Sequence, residues 1–288
     1  MIATTPTEST ATSVDGTTIG YETVGRGDAV LVVGGAWRAA DDYLALARAL
    51  ASTFTVHVID RPGRGRSGPQ GPAYSIEREV EDLLAVQART DASIVFGHSF
   101  GGLVALETAR RSAGFTDVIV YEPGVSIGGS IPVAWMAPYQ DRLVAGDRRG
   151  AFATMVRGSG AAPPVIERLP LWCLKLVLRA AIRGSEWRRT DSLLEVSLAE
   201  HGQVVAVDDG SADRFRAIAA RTLLLVGGKS RPRYTTALFE QLAAVIPDVT
   251  AELLPGLDHV GPEKAPEVVA ERIREQLASG GFLDISCD

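Results

Sequence analysis

The chain has 288 residues, which suits one large α/β domain or a core domain with an inserted subdomain. Its net charge of -6 argues against the basic surface that nucleic acid requires, so we expect no nucleic-acid partner. No apolar run approaches the ~18 residues of a membrane span, and we expect no membrane insertion. Residues 1–10 lack the basic segment and apolar core of a signal peptide, so we predict a disordered lead-in and a cytoplasmic protein.

The first predicted element is a β-hairpin over roughly residues 11–24, because Val14-Asp-Gly-Thr17 is a turn signal between two β-prone runs. Continuous apolar runs, typical of strands buried on both faces of a sheet, then recur at 29–33, 54–60, 92–96, 117–121, 222–226 and 250–254. Segments with a helical pattern lie between most of them, at 40–52, 76–90, 100–113, 235–245 and 264–278. This alternation predicts an α/β fold with a doubly wound, mostly parallel sheet.

The alternation stops over residues 125–211, which lack a convincing strand and are rich in helix formers and large apolar side chains. We predict that this stretch is a helical lid in which Trp135 and Trp172 line an apolar substrate pocket. Packing of the same helices on the edge of the sheet is the alternative explanation. The core would then consist of residues 11–124 and 212–288.

The segment Gly97-His-Ser-Phe-Gly101 joins a predicted strand to a predicted helix. G-x-S-x-G also occurs by chance in a glycine-rich chain, but this context indicates a nucleophile elbow that projects the Ser99 hydroxyl above the sheet edge. The first N–H of the new helix, that of Phe100, would stabilise a developing oxyanion. The alternative is a serine that only caps the helix.

With these motifs the chain resembles the α/β-hydrolase-fold serine hydrolases over nearly its whole length, in strand order and in motif order. Gly34-Gly-Ala-Trp37 resembles the family's His-Gly oxyanion loop, with glycine where histidine is common. By that match the N–H of Ala36 is the second oxyanion donor, and Trp37 is a candidate substrate-binding residue. Asp60–Ser67 resembles the loop after the fourth strand, which in this family is mainly structural.

That loop also contains Gly63-Arg-Gly-Arg-Ser-Gly68, which fits the dinucleotide fingerprint G-x-G-x-x-G. The fingerprint requires glycines that open directly into a helix, whose N-terminus holds the pyrophosphate. Here Pro69 and Pro72 interrupt the chain, and the helical pattern starts only near Ser75. An NAD-dependent oxidoreductase is therefore the disfavoured alternative.

A serine nucleophile needs a histidine base, and the chain has four histidines. His57 lies in an apolar strand, which indicates a buried structural residue. His98 directly precedes the serine and should point away from it, and His201 precedes a glycine, where we expect an exposed helix C-terminus. His259 lies in the loop after the last strand, where the family places its base.

The catalytic acid is not in the expected turn, because Lys229 and Ser230 occupy the position after the seventh strand. Asp258 is adjacent to the histidine and would have to fold back onto its ring. Asp208 and Asp209 precede the helix that leads to the seventh strand, and we expect them to lie far away.

Glu122 follows the sixth strand, and the carboxyl ends of neighbouring strands meet at one edge of a doubly wound sheet. A subset of α/β hydrolases, zearalenone lactonases among them, carries its acid after this strand. The chain order Ser99, Glu122, His259 resembles that arrangement. A solvated glutamate in a turn is the alternative.

These residues predict a serine hydrolase that cleaves an ester or lactone of an apolar small molecule through an acyl-enzyme. No metal and no organic cofactor is implied, because the nucleophile and the proton shuttle are protein groups. Carbon–carbon bond hydrolysis, acyl transfer, cofactor-free peroxidation and a non-catalytic ligand-binding role remain open on the same fold. The sequence makes no prediction of oligomeric state.

Overall fold

A computed structural model gives the fold and describes residues 5–160, 162–230 and 232–279. The described residues fall into two compact units. The first draws on Met1–Gly71, Ile76–Val125 and Ala212–Asp288, and the second on Pro72–Ser75 and Ser126–Ser211. The second unit contains almost all of the stretch that we predicted as an insertion, and its role as a lid stays a prediction.

One sheet forms the centre of the first unit, and its described strands number eight. They are β1 (Thr7–Thr12), β2 (Thr18–Gly25), β3 (Asp28–Val33), β4 (Phe54–Ile59), β5 (Ile94–His98), β6 (Asp117–Tyr121), β7 (Arg221–Gly227) and β8 (Val249–Leu254). The strand order is β1-β2-β4-β3-β5-β6-β7-β8. The pairs β1–β2 and β2–β4 are antiparallel, and all other neighbours are parallel. The predicted doubly wound, mostly parallel sheet is confirmed.

Twelve α-helices are present in the described residues. They are α1 (Leu44–Leu50), α2 (Ile76–Thr90), α3 (Phe100–Ala109), α4 (Met136–Val144), α5 (Arg148–Gly158), α6 (Pro164–Glu167), α7 (Leu171–Ala181), α8 (Gly184–Ser192), α9 (Leu194–Ala206), α10 (Pro232–Val245), α11 (Gly261–Lys264) and α12 (Pro266–Ser279). None of the described helices is long and apolar enough to cross a bilayer. Helix α2 shows why they form: Ile76, Val80 and Leu83 are buried at a helical spacing that places them on one face.

The core of the first unit lies around the central strands, because every residue of β5 and β6 is buried. This burial on both faces explains why these strands are continuous apolar runs rather than alternating ones. Phe96 and Tyr121 are fully buried there, together with Tyr43 from the 3-10 turn Ala40–Tyr43 that precedes α1. The sheet therefore gives a rigid base to the residues that follow its strands.

The structure corrects three predicted boundaries. Strand β1 begins at Thr7, so residues 7–10 are not a disordered lead-in but pair with β2, as Thr7 does with Thr23. Residues 1–4 of that predicted lead-in lie outside the described residues. Helix α3 ends at Ala109 rather than near residue 113, and the predicted helix at 40–52 is a 3-10 turn followed by the short α1.

The loop after β4 is not a dinucleotide site, since helix α2 begins only at Ile76. Its organising group is the Asp60 carboxylate, which accepts hydrogen bonds from the N–H groups of Ala40 (2.8 Å) and Arg66 (3.0 Å). Gly65 has φ 53°, and a Cβ there would lie 2.0 Å from Oδ2 of Asp60. The glycine is thus required by a structural turn, as the resemblance implied for this loop.

The second unit has six described helices, α4 to α9, and no strand among its described residues. Tyr139 is fully buried in it and donates a hydrogen bond to the carbonyl of Leu194 (2.8 Å). Asp147 caps the N-terminus of α5 by accepting a hydrogen bond from the N–H of Gly150 (3.0 Å). These contacts give the unit a core of its own.

Candidate active site

The elbow at Ser99 has the strained geometry that the motif predicts. Strand β5 ends at His98, helix α3 begins at Phe100, and Ser99 between them has φ 53° and ψ -120°. Non-glycine residues rarely adopt a positive φ, and this conformation turns the chain sharply between strand and helix. A Cβ at Gly101 would lie 2.2 Å from the carbonyl oxygen of Val33, so close packing of the elbow requires glycine there.

Ser99 and Glu122 directly follow two neighbouring parallel strands, β5 and β6, which end at the same level of the sheet. His98 pairs with Tyr121 in the sheet, and the N–H of Ser99 donates a hydrogen bond to the carbonyl of Tyr121 (3.0 Å). Glu122 follows at once with φ 44°, and its N–H donates to the carbonyl of Leu225 (2.9 Å). The register of the sheet therefore places both residues at its carboxyl edge.

The side chain of Glu122 joins the loop that carries His259. Its Oε2 lies 2.7 Å from Nδ1 of His259, and its Oε1 accepts a hydrogen bond from the N–H of Gly227 (2.8 Å). The glutamate side chain is 4% exposed, whereas that of the histidine is 47% exposed. An ionised carboxylate can only accept, so Nδ1 carries the proton and, in the neutral ring, Nε2 offers its lone pair. A general base needs this tautomer.

The last residue of β7 contributes a backbone donor to this arrangement, and Lys229 and Ser230 in the turn after it offer no carboxylate. Gly227 binds Glu122, and the N–H of Lys229 donates to the carbonyl of Leu257 (2.8 Å). A Cβ at Gly227 would lie 2.7 Å from that same carbonyl oxygen. The end of β7 thus supports the glutamate, whereas the turn that follows binds the segment before His259 through the N–H of Lys229.

The competing carboxylates have other partners. Oδ1 of Asp258 accepts from the N–H of Val260 (3.1 Å), and its Oδ2 lies 3.4 Å from Nζ of Lys264 at the surface. Asp208 binds two backbone N–H groups of the second unit, those of Gly128 and Gly129, each at 2.8 Å. Neither carboxylate contacts the ring of His259.

One predicted oxyanion donor belongs to the residue after Ser99, and the other belongs to a loop that packs against this serine. Gly35 packs so closely that a Cβ there would lie 3.0 Å from the Cβ of Ser99. Ala36 follows Gly35 directly, and Phe100 follows the serine. Within the described part of the chain, the N–H groups of Ala36 and Phe100 make no hydrogen bond, which leaves both for a ligand oxygen.

Arg61 supports this oxyanion loop through its guanidinium, although no feature of the sequence marks it as a functional residue. Its Nε donates to the carbonyl of Gly34 (2.9 Å) and its Nη2 to that of Gly35 (3.1 Å). Nη1 lies 2.7 Å from Oε1 of Glu79 in an ion pair whose side chains are 2% and 1% exposed. The guanidinium also lies over the ring of Phe100, 4.7 Å from its centroid. A charged residue in a glycine-rich loop indicates exposure, so no sequence signal marked this burial.

The other three histidines have structural contacts. His57 is buried in β4, as predicted, with Nδ1 2.9 Å from the hydroxyl of Thr23. His98 directs Nε2 to the carbonyl oxygen of His259 (2.8 Å). His201 corrects a prediction: it is not an exposed cap, because α9 continues past Gly202 to Ala206. Burial lowers the pKa of His201, whose Nδ1 lies 2.7 Å from the carbonyl oxygen of Ser197.

The three tryptophans that we predicted as substrate-binding residues have different environments. Trp37 is half-buried directly after the oxyanion loop and has φ 65°. Trp135 is 4% exposed and packs edge-on against Tyr139, with its Nε1 donating to the carbonyl of Pro132 (2.9 Å). Trp172 is 69% exposed on α7. Substrate contact stays a prediction for each of them, and Trp135 has a packing role in the second unit.

Comparison with known proteins agrees with this fold. A pimeloyl-[acyl-carrier protein] methyl ester esterase of Klebsiella pneumoniae (strain 342) is 41% identical over 92 residues, which is 32% of this chain and 35% of that protein. An alpha/beta hydrolase from Sphaerobacter thermophilus DSM 20745 is 28% identical, with a TM-score of 0.78 over 93% of this chain and 100% of that one. The esterase RhEst1 from Rhodococcus sp. ECU1013 is 20% identical, with a TM-score of 0.66 over 94% and 98%.

The match to the curated esterase thus covers little more than one third of that relative, and the resemblance to zearalenone lactonases stays a prediction. The profile of the alpha/beta hydrolase family, in contrast, matches residues 29–272. That range extends from β3 into α12 and includes the elbow and the loop of His259. This chain belongs to the alpha/beta hydrolase family.

Proposed function

We propose that this protein is a serine hydrolase that cleaves a carboxylic ester or lactone of an apolar small molecule. Ser99 is the nucleophile, His259 the general base and Glu122 the acid that orients it. The observation that carries the proposal is the 2.7 Å contact between Oε2 of Glu122 and Nδ1 of His259. This contact leaves the ring of His259 able to accept a proton at the sheet edge, where Ser99 follows β5.

The chemistry follows from the protonation of these groups. As the Ser99 hydroxyl attacks the carbonyl carbon, its proton moves to Nε2 of His259, and the carbonyl electrons move onto oxygen. The N–H groups of Ala36 and Phe100 donate to that oxyanion. Collapse of the tetrahedral intermediate expels the alkoxide, which takes the proton from His259 and leaves an acyl-serine. Water then repeats the sequence and releases the acid.

The surroundings of Ser99 favour an acyl group of low polarity. Trp37, which is half-buried, directly follows the oxyanion loop and offers a large apolar side chain there. The curated relatives that the chain matches in part are named as esterases, which supports the ester as the bond cleaved. A lactone is an internal ester and reacts by the same steps, with the alcohol remaining attached to the acyl group.

A turnover screen tests the proposal. Purified protein is assayed with p-nitrophenyl esters of two to twelve carbons and with small and macrocyclic lactones, and Ser99→Ala serves as the matched control. We expect hydrolysis by the wild type alone and, after rapid quenching, an intact mass increased by the acyl group. If the wild type neither turns over any ester or lactone nor forms an adduct, a ligand-binding role replaces the enzyme. An adduct that passes mainly to an added alcohol indicates an acyltransferase.

A further inference from the structure

A buried chain of hydrogen bonds joins the three segments that meet at Ser99. The N–H of Gly35 in the oxyanion loop donates to the hydroxyl of Tyr43 (2.9 Å). That hydroxyl lies 2.6 Å from Nδ1 of His98 at the end of β5. Nε2 of His98 lies 2.8 Å from the carbonyl oxygen of His259. Tyr43 is completely buried and His98 is 2% exposed, so no solvent competes for these bonds.

The two backbone groups at the ends of this series of hydrogen bonds limit which groups can donate within it. A backbone N–H can only donate and a carbonyl oxygen can only accept, so Nε2 of His98 must carry a proton. Burial lowers the pKa of His98 well below its ordinary value, which favours the neutral ring. Nδ1 is then an acceptor, and Tyr43 donates to it while accepting from Gly35. Each of these polar groups is satisfied.

We propose that His98 and Tyr43 are positioning residues that hold two loops in a common arrangement around Ser99. These are the oxyanion loop, residues 34–37, and the loop that carries His259, residues 255–260, called the base loop below. The inference rests on the proposed function. Neither residue exchanges protons with substrate: they act on the backbone of Gly35 and of His259. Glu122 orients the ring of that histidine, whereas His98 holds its main chain.

A neighbouring tyrosine completes the support of the base loop. The hydroxyl of Tyr121, which is fully buried at the end of β6, donates to the carbonyl of Asp258 (2.7 Å). Consecutive carbonyls of the base loop are therefore held by side chains from the ends of two adjacent strands, Tyr121 for Asp258 and His98 for His259. The tyrosine hydroxyl satisfies one carbonyl alone, whereas the imidazole also connects to the oxyanion loop through Tyr43.

Histidine suits position 98 because its two ring nitrogens make different bonds in different directions. An asparagine amide reaches about as far as Nδ1 and can accept from Tyr43, but it cannot reach the carbonyl of His259. A glutamine amide reaches about as far as Nε2 and can donate to that carbonyl, but it loses the bond to Tyr43. The two variants thus test the bond to Tyr43 and the bond to His259 separately.

The test compares His98→Gln, His98→Asn and Tyr43→Phe with the wild type in steady-state kinetics against pH. We expect His98→Asn to lower kcat about 10- to 100-fold with little change in KM, since a small displacement of a base has an effect of this size. The apparent pKa of the base in the kcat/KM profile should also shift. His98→Gln keeps the bond to His259 and loses the bond to Tyr43, so it should keep the wild-type profile with a smaller fall in kcat than His98→Asn. Tyr43→Phe should lower kcat with an unchanged profile, because it releases the oxyanion loop only.

Peptide-resolved hydrogen exchange provides a readout that does not depend on activity. Exchange over residues 256–262 should accelerate in His98→Asn but not in His98→Gln, and exchange near Gly35 should accelerate in Tyr43→Phe. Equal kinetics and equal exchange for the two amide variants would overturn the inference. It would also be overturned if the losses of kcat only paralleled a lower melting temperature. A wild type that hydrolyses no ester counts against the proposed function, whereas the exchange pattern then still decides whether the two loops are held through His98.

Discussion

Glu122 and His259 are 137 positions apart in the chain, yet their side chains are joined by a 2.7 Å contact between Oε2 and Nδ1. The second oxygen of the glutamate binds the N–H of Gly227, so the carboxylate is held at both ends and cannot rotate freely. Strand β7, whose exit turn offers no acid at Lys229 and Ser230, therefore contributes to the site by supporting the acid that follows the neighbouring strand.

The first prediction concerns this acid. Glu122→Gln keeps the shape of the side chain but removes its charge and allows the wrong tautomer of His259, so kcat should fall about 10³- to 10⁴-fold. The fall in kcat is measured by steady-state kinetics with the ester that the wild type hydrolyses fastest in the turnover screen. Asp258→Asn is the matched control, because among the described residues that carboxylate binds Val260 and Lys264, and it should retain most of kcat. The reverse ranking would identify Asp258 as the acid.

The second prediction concerns the nucleophile. A fluorophosphonate probe should add one equivalent to Ser99 if, as proposed, His259 activates its hydroxyl. Ser99→Ala should fold normally and stay unlabelled in intact-mass measurements. Ser230→Ala is the control, since that serine occupies the turn after β7, and it should be labelled like the wild type. An adduct mapped to any other serine would contradict the proposed elbow.

The third prediction concerns the buried ion pair below the oxyanion loop. Arg61→Met removes the guanidinium from the buried Glu79 carboxylate and should lower the free energy of unfolding by about 3–5 kcal/mol. Arg216→Met removes the exposed pair with Asp213, whose side chains are 62% and 69% exposed, and should change stability by at most about 1 kcal/mol. Urea unfolding of both variants measures the difference. Equal stabilities would show that the loop does not depend on Arg61.

The fourth prediction concerns pH. Burial raises the pKa of Asp82 on α2 from 3.8 to about 7; the hydroxyl of Ser13 lowers it, and the nearby charges of Glu79 and Asp15 raise it further. At a pH between these two pKa values, Asp82 is protonated in the native state more than in the unfolded chain. The free energy of unfolding therefore falls as pH rises from about 4 to about 7. Asp82→Asn should therefore be more stable than the wild type at pH 8 and similar to it at pH 4.

Thermal unfolding of the two proteins across that pH range measures the effect. The control is Asp28→Asn, which removes an exposed carboxylate at the start of β3. A stability difference between Asp82→Asn and the wild type that is constant across pH would mean that Asp82 does not titrate in this window.

The fifth prediction separates two tryptophans of the second unit. Trp135→Ala should destabilise the protein by about 3–5 kcal/mol, because the indole is buried against Tyr139 and Gly158 and its removal leaves a cavity. Trp172→Ala removes a side chain that is 69% exposed and should change stability by less than about 0.5 kcal/mol. Chemical unfolding followed by circular dichroism compares them. A large effect at Trp172 would place that side chain in a packed environment.

Strand positions were predictable from the sequence because the central strands are buried on both faces. Continuous apolar runs then mark them directly, and β6 was predicted with the boundaries that it has, Asp117–Tyr121. The elbow was predictable for a similarly local reason: the strand, the turn and the helix around Ser99 are consecutive in the chain. Helix ends were less certain, as α3 shows, because the pattern of residues 110–113 does not reveal where the helix stops.

Contacts between distant segments were decided by the tertiary structure. The sequence singled out Glu122 because the edges of a parallel sheet converge, but only the fold brings its carboxylate to the ring of His259 and to the N–H of Gly227. Arg61 and Tyr43 carried no sequence signal, since a buried arginine depends on Glu79 and a buried hydroxyl on His98. Local patterns record which face of an element is apolar, whereas a polar group can be buried only when folding supplies its partner from another segment.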